Sequence, residues 1–269
     1  MEATLDPPAA PAAELPGVGA VLSAGTRAAG ENLGLLLGIW AATGLPAQIL
    51  GIAASAATGI VDGDALQKAV DAGDWSVVGP FAAVAVVGMA LGLLGYAATI
   101  LVAARAHEGR ESGLGGTLAD AAGRLFAVVL TCLLTAAAVL AGSLLLVLPG
   151  VYALVRLSLA VCASVIEETG ARASAARSWE LTRGRVWTLL GFFAAFVGLA
   201  FAAAVALVSA GELLDWIASP AGPEATAVVR IALNAGQFMV SAWVTACLVA
   251  LYRGLDALAP RPVETIAPD

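Results

Sequence analysis

Six long apolar runs decide what this chain can fold into. They cover, approximately, residues 33–60, 77–104, 125–148, 151–166, 186–210 and 225–252. All but the fourth reach the roughly twenty residues that a helix needs to cross an ~30 Å hydrocarbon core. The composition is 60% hydrophobic and 12% charged, against about 45–50% and about 25% in soluble domains. We therefore predict an all-α polytopic membrane protein with six transmembrane helices.

The two ends of the chain differ from this apolar body. Residues 1–16 are rich in alanine and proline and lack the basic start and apolar core of a secretory signal peptide. We predict disordered cytoplasmic tails at 1–16 and 257–269, and a six-span membrane domain at 17–256. Residues 18–32 predict either a short amphipathic helix on the membrane surface or a frayed start of the first span.

The positions of the basic residues predict an orientation. Of the thirteen Lys and Arg residues, ten fall at one side of the six-span arrangement and two, Lys68 and Arg230, at the other, while Arg156 lies inside a span. Loops rich in Lys and Arg stay in the cytoplasm. The pattern predicts a multi-pass protein of a bacterial inner membrane with both termini in the cytoplasm.

Two patterns of glycines suggest how the spans are arranged. Gly30, Gly123 and Gly184 align in three similar segments, each before an outward-running span. They favour a threefold repeat of a cytoplasmic interfacial helix and a two-span hairpin, although an alanine-rich chain also produces such matches by chance. Gly34-x-x-x-Gly38 and Gly88-x-x-x-Gly92 predict close packing of helices inside the bundle.

The fourth run contains a predicted hinge, Pro149–Gly150, and an intramembrane arginine, Arg156. At ~1.5 Å per residue, Arg156 would lie about 9 Å below that hinge. A lipid-facing arginine is costly at such a depth, so its side chain should face the bundle or snorkel outward to the interface. We predict a polar intramembrane cluster, which is either an interhelical pin or a pocket for an anionic group. Its candidate members are Arg156, Asn234, Gln237, Glu212 and Gln48.

The segment after the fourth run predicts a cytoplasmic interface. If residues 170–185 are helical, Ala173, Ala176 and Leu181 can face apolar surface while the arginines face outward, and Glu168 can pair with Arg172. The arginines would meet lipid phosphates, or a protein partner of unknown identity would dock there. The candidate interface residues are Glu168, Arg172, Arg177, Ser178, Arg183 and Arg185.

One family resembles this part of the chain. The order of Pro149–Gly150, Arg156, Glu168, Arg177–Ser178 and residues 181–184 (Leu-Thr-Arg-Gly) is similar to the membrane domain of some bacterial glycerophosphoryl diester phosphodiesterases. That family also includes stand-alone proteins. The resemblance implies a six-span inner-membrane domain with cytoplasmic surface helices. It implies no phosphodiesterase activity, because the catalytic chemistry of fused members resides in a separate soluble domain.

The sequence favours no enzymatic chemistry. It contains one histidine, His107, and three scattered cysteines, and no P-loop, H-E-x-x-H or G-x-S-x-G pattern. We predict no catalytic residues, no metal, no cofactor and no nucleic-acid partner, and membrane lipids with anionic head groups as partners. The favoured function is that of a non-enzymatic accessory or scaffold in lipid or envelope processes. The alternatives are a small-molecule transporter or channel with a polar pocket near Arg156, and an enzyme acting on lipid head groups.

Overall fold

The computed structural model describes residues 17–59, 63–218, 220 and 223–259. The predicted tail 1–16 and residues 260–269 of the second predicted tail lie outside the described residues. Every regular element in the described part is an α-helix. In chain order the helices are α1 (Val18–Glu31), α2 (Leu33–Thr58), α3 (Gly63–Asp71), α4 (Trp75–His107), α5 (Leu114–Leu145), α6 (Val147–Leu157), α7 (Ala160–Ile166), α8 (Ala171–Leu181), α9 (Val186–Ala218) and α10 (Pro223–Ala257).

Within the described residues, six helical segments are long and apolar enough to cross a membrane, which confirms the predicted all-α polytopic architecture. They are α2, α4, α5, the pair α6–α7 (Val147–Ile166), and the apolar parts of α9 and α10. Several helices extend beyond the apolar runs. For example, α5 begins at Leu114, eleven residues before the predicted run, because the polar segment before residue 125 continues the same helix.

The hinge between the third and fourth spans lies earlier than predicted. The break is at Leu146, whose backbone is extended, with φ −171° and ψ 155°. Pro149 stands in the first turn of α6, where its missing N–H costs no helical hydrogen bond. Gly150 packs against α5, and a Cβ there would lie only 2.9 Å from the backbone nitrogen of Ser143. The pair Pro149–Gly150 therefore lies in the first turn of α6, where Gly150 packs closely on α5, and the hinge itself is Leu146.

The fourth span is interrupted and short. Helix α6 ends at Leu157, and α7 runs only from Ala160 to Ile166. Ser158, at the interruption, donates its hydroxyl to the carbonyl of Val155. The chain then turns through Glu168, which has a left-handed backbone with φ 55°. This turn brings α8 back against the fourth span.

The tight packing of the bundle is concentrated at one end, which we call the charged end. It comprises the C-terminal parts of α4 and α10, the N-terminal part of α5, and helices α1, α7 and α8. Residues 97–104 of α4 are all buried, as are most residues from 242 to 255 of α10. Towards the opposite end the apolar side chains of the spans are largely exposed in the isolated chain. In a bilayer those side chains face lipid, so protein–protein packing holds the bundle mainly at the charged end.

The surface helix predicted within residues 18–32 is a separate helix, α1, which packs on α10. Its buried residues are Val21, Gly25 and Ala28. The indole of Trp243 on α10 donates to the hydroxyl of Thr26 at 2.9 Å. Helix α1 is therefore anchored by protein contacts as well as by any contact with lipid.

The structure shows only part of the predicted threefold repeat. Separate short helices precede the first and fifth spans, but α5 is continuous from its polar start into the third span. Of the three aligned glycines, Gly30 and Gly123 lie inside helices, whereas Gly184 has φ 75° in the turn before α9. The three segments thus have different local structures.

Candidate functional site

Helix α8 packs on the fourth span through a stripe of hydroxyl side chains. Ser174, Ser178 and Thr182 follow one another at intervals of four residues, and all three are buried. The hydroxyl of Ser178 donates to the carbonyl of Arg156 at 2.7 Å. Small hydroxyl residues allow two helix backbones to approach closely. Of the three residues predicted to face apolar surface, Leu181 is buried in the protein, whereas Ala173 and Ala176 are exposed in the isolated chain.

The side chain of Arg156 is enclosed between α6 and α8. The residue is only 4% exposed. Its guanidinium carbon lies 4.1 Å from the ring centre of Trp179 and 5.7 Å from that of Tyr152. Its Nη1 donates to the hydroxyl of Thr182 at 3.2 Å. Cation–π contact and one hydrogen bond thus replace part of the solvation that burial removes.

The predicted intramembrane cluster is divided in the structure. Glu212, Asn234 and Gln237 do meet, on a cavity of ≈310 Å³ between α9 and α10. Arg156 contacts α8 instead, so its predicted place in that cluster is wrong, and Gln48 on α2 does not line the cavity. Arg156 is separated from these residues because α8 folds back to its level and packs against it.

Arg177 on α8 is the centre of an ionic network at the charged end. Its Nε donates to Glu167 at 3.1 Å and its Nη1 to Glu180 at 3.3 Å, while Nη2 bonds Asp256 of α10. The hydroxyl of Tyr252 also donates to Glu167. Burial lowers the pKa of Arg177, but Glu167 and Asp256 outweigh it and raise that pKa above its ordinary value. The prediction that Arg177 faces outward is therefore wrong, because this half-buried arginine links α8 to the ends of α7 and α10.

Three further arginines join helix ends around this network. Arg105 of α4 pairs with Asp120 of α5, and Arg253 of α10 pairs with Glu108, just after α4. Arg124 of α5 bonds both the carboxylate of Glu168 and the carbonyl of Val165. The predicted pair of Glu168 with Arg172 is wrong, since Glu168 precedes α8 and points to α5.

We expect the ion pair between Glu108 and Arg253 to weaken at acid pH. Burial acts to raise the pKa of Glu108, but Arg110 and Arg253 hold that pKa below its ordinary value. A carboxyl with a depressed folded-state pKa contributes stability above its unfolded pKa, and this contribution is lost as pH falls through the folded pKa. Melting the purified protein between pH 7 and pH 3 should show a smaller acid destabilisation in Glu108→Gln than in the wild type. Equal pH profiles would contradict this expectation.

The remaining arginines of the predicted interface form no ion pair with the residues described. They are Arg172 on the exposed side of α8, and Arg183 and Arg185 in the turn before α9. Arg183, Gly184 and Arg185 line a cavity of ≈270 Å³ together with Leu255, Leu258 and others. An apolar groove of ≈480 Å³ lies on the other side of this turn, between α6 and the start of α9.

The sequence did not predict the stripe of hydroxyl side chains on α8 or the ionic network around Arg177. The spacing of Ser174, Ser178 and Thr182 was a readable signal, because three small polar residues at intervals of four share one helical face. The partners of Arg177 were not readable, since Glu167 and Asp256 lie ten and seventy-nine residues away.

The chain was also compared with known proteins. No family model, no curated protein and no solved structure gives a significant match. The resemblance to the phosphodiesterase membrane domain stays a prediction carried by the residues quoted above. We therefore infer function from the geometry of the charged end.

Proposed function

We propose that the chain is a non-enzymatic integral membrane protein of the bacterial inner membrane that serves as an accessory or scaffold in lipid or envelope processes. In this proposal the charged end faces the cytoplasm, as the distribution of arginines favours. Anionic lipid head groups meet the arginines that the helix contacts leave free. The resemblance to a stand-alone membrane domain agrees with such a role.

The observation that carries this proposal is the enclosure of Arg156. A transport pocket built on this arginine would need water and solute to reach its guanidinium. Instead, Trp179, Tyr152 and Thr182 surround it. It lines neither the cavity between α9 and α10, nor the cavity at Arg183 and Arg185, nor the apolar groove between α6 and α9. This supports a pin that holds α8 on the bundle, and with it a rigid cytoplasmic face.

Replacing Arg156 with leucine tests the pin against the pocket. We expect Arg156→Leu to lower the free energy of unfolding by about 1–2 kcal/mol, since it removes cation–π contacts and a buried hydrogen bond. The exposed Arg172→Leu should change it by less than about 0.5 kcal/mol. Thermal unfolding in detergent measures both effects. Uptake of phosphate and organic anions into proteoliposomes should match that of empty vesicles.

The proposal fails if wild-type protein carries an anion and Arg156→Leu abolishes that uptake without loss of stability.

A second candidate, a small-molecule transporter, is favoured by one observation. Glu212, Asn234 and Gln237 line a cavity away from the charged end, together with apolar residues of α9 and α10. Solute uptake that is abolished by Glu212→Gln, with an unchanged melting temperature, would support this candidate.

A further inference from the structure

The turn that leads into α9 separates a polar cavity from an apolar groove. Arg183, Gly184 and Arg185 line a cavity of ≈270 Å³, which we call the polar cavity after its two arginines. Its remaining lining consists of Glu180, Leu181, Leu255, Leu258 and Ala259. The next residues, Val186, Trp187 and Leu190, line the apolar groove of ≈480 Å³. Within eight consecutive residues the lining therefore changes from guanidinium groups to hydrocarbon.

The groove has the chemistry of a site for an acyl chain. Its other wall is α6, with Leu148, Pro149, Val151, Tyr152 and Val155. The side chains at its rim are open to the surroundings, with Leu148 80% and Trp187 84% exposed. Because both walls belong to predicted spans, the surroundings in a membrane are lipid tails. A hydrocarbon chain would cover this apolar surface without desolvating any charge.

The polar cavity favours an anion. Arg183 and Arg185 make no ion pair with the residues described, and the one carboxylate on the cavity, that of Glu180, is bonded to Arg177. The first turn of α9 adds the partial positive charge of a helix N-terminus. Basic pockets between transmembrane helices on the cytoplasmic side bind anionic lipid head groups.

We propose that this turn binds one anionic phospholipid across its two faces. The phosphate lies in the cavity between Arg183 and Arg185, and one acyl chain lies in the groove against Trp187. This site rests on the proposed function in one respect: the charged end must lie at the cytoplasmic leaflet, where anionic lipids are available. It goes beyond that function by assigning the lipid class and the residues that hold each part of it.

Contact quenching of Trp187 tests the proposal directly. The full chain is reconstituted into phosphatidylcholine nanodiscs that contain increasing fractions of lipid with brominated acyl chains, either phosphatidylglycerol or phosphatidylcholine. Bromine quenches tryptophan fluorescence only near contact. The difference between the wild type and Trp187→Phe isolates the signal of Trp187 from that of the other five tryptophans.

We expect half-maximal quenching of Trp187 at a fraction of brominated phosphatidylglycerol that is on the order of tenfold lower than for brominated phosphatidylcholine. Arg183→Gln with Arg185→Gln should reduce this preference to within about twofold. Arg172→Gln, which removes one charge from the exposed side of α8, should preserve it. Melting curves of all variants show whether each is folded in the nanodisc.

Equal quenching by the two lipids in the wild type would overturn the proposal, as would a preference that survives the double substitution in a folded protein. A preference lost in Arg172→Gln as well would also overturn it, because it would indicate general attraction of anionic lipid to the charged end. Both leaflets of the nanodisc have the same composition, so the result does not depend on orientation. A failure here would leave the test of Arg156, and with it the proposed function, standing.

Discussion

Replacing Gly150 with alanine is expected to destabilise the protein by about 3 kcal/mol. A Cβ at this position would lie 2.1 Å from the hydroxyl oxygen of Ser143 and 2.9–3.0 Å from its backbone. The hydroxyl can rotate away, but the backbone of α5 can move only with the helix. Overpacking of this kind costs about 1–3 kcal/mol and occasionally more. The measurement is the temperature at which the detergent-solubilised protein loses its monodisperse peak in size-exclusion chromatography.

Gly92→Ala is the matched control for this substitution. Gly92 also lies within a transmembrane helix, in α4, but a Cβ there would meet nothing within 4 Å. Its substitution should be neutral or slightly stabilising, because alanine favours the helix more than glycine does. If the two variants melted at the same temperature, the close contact between α5 and α6 would not contribute to stability.

Replacing Arg177 with leucine should cost about 2–3 kcal/mol. The substitution removes the partner of Glu167 and Asp256 together, and it leaves two part-buried carboxylates close to each other. Breaking a fully buried pair costs about 3–5 kcal/mol, and partial exposure reduces that amount. Because Arg177 connects α8 to α10, we also expect the turn after α8 to become more accessible to protease. Thermal unfolding and limited proteolysis in detergent measure the two effects.

Arg110→Leu provides the comparison for Arg177. Arg110 pairs with Glu108 only two residues away, and 67% of its side chain is exposed. Exposed ion pairs contribute about 0–1 kcal/mol, so this variant should melt close to the wild type. A similar loss of stability in both variants would mean that the number of charges, and not the ionic network around Arg177, determines stability at the charged end.

The sequence carried reliable information wherever a property depends on neighbouring residues. The apolar runs predicted six spans because a helix must stay apolar along its own length to cross lipid. The clustering of arginines predicted that one end would be charged. Likewise, Arg156 was predicted to avoid lipid, either by facing the bundle or by snorkelling outward, because the cost of exposing a charge to lipid is local; the structure has the first arrangement.

Contacts between distant segments were predicted poorly. The interrupted fourth span and the turn at Glu168 place α8 beside Arg156, and neither is visible in the apolar pattern. Of the nine described arginines that predicted the cytoplasmic side, five bond a carboxylate, namely Arg105, Arg110, Arg124, Arg177 and Arg253. A count of basic residues cannot distinguish paired from unpaired arginines.

The sequence by itself determined that the chain is helical, that it crosses a membrane and that its basic residues gather at one side. These properties follow from hydrophobicity and charge along the chain. Only the tertiary structure decided which arginines hold the bundle together and which, such as Arg172, Arg183 and Arg185, form no ion pair with the described residues. The reason is physical, because an ion pair or a buried hydrogen bond depends on angles and distances between helices, and these are set where the chain turns.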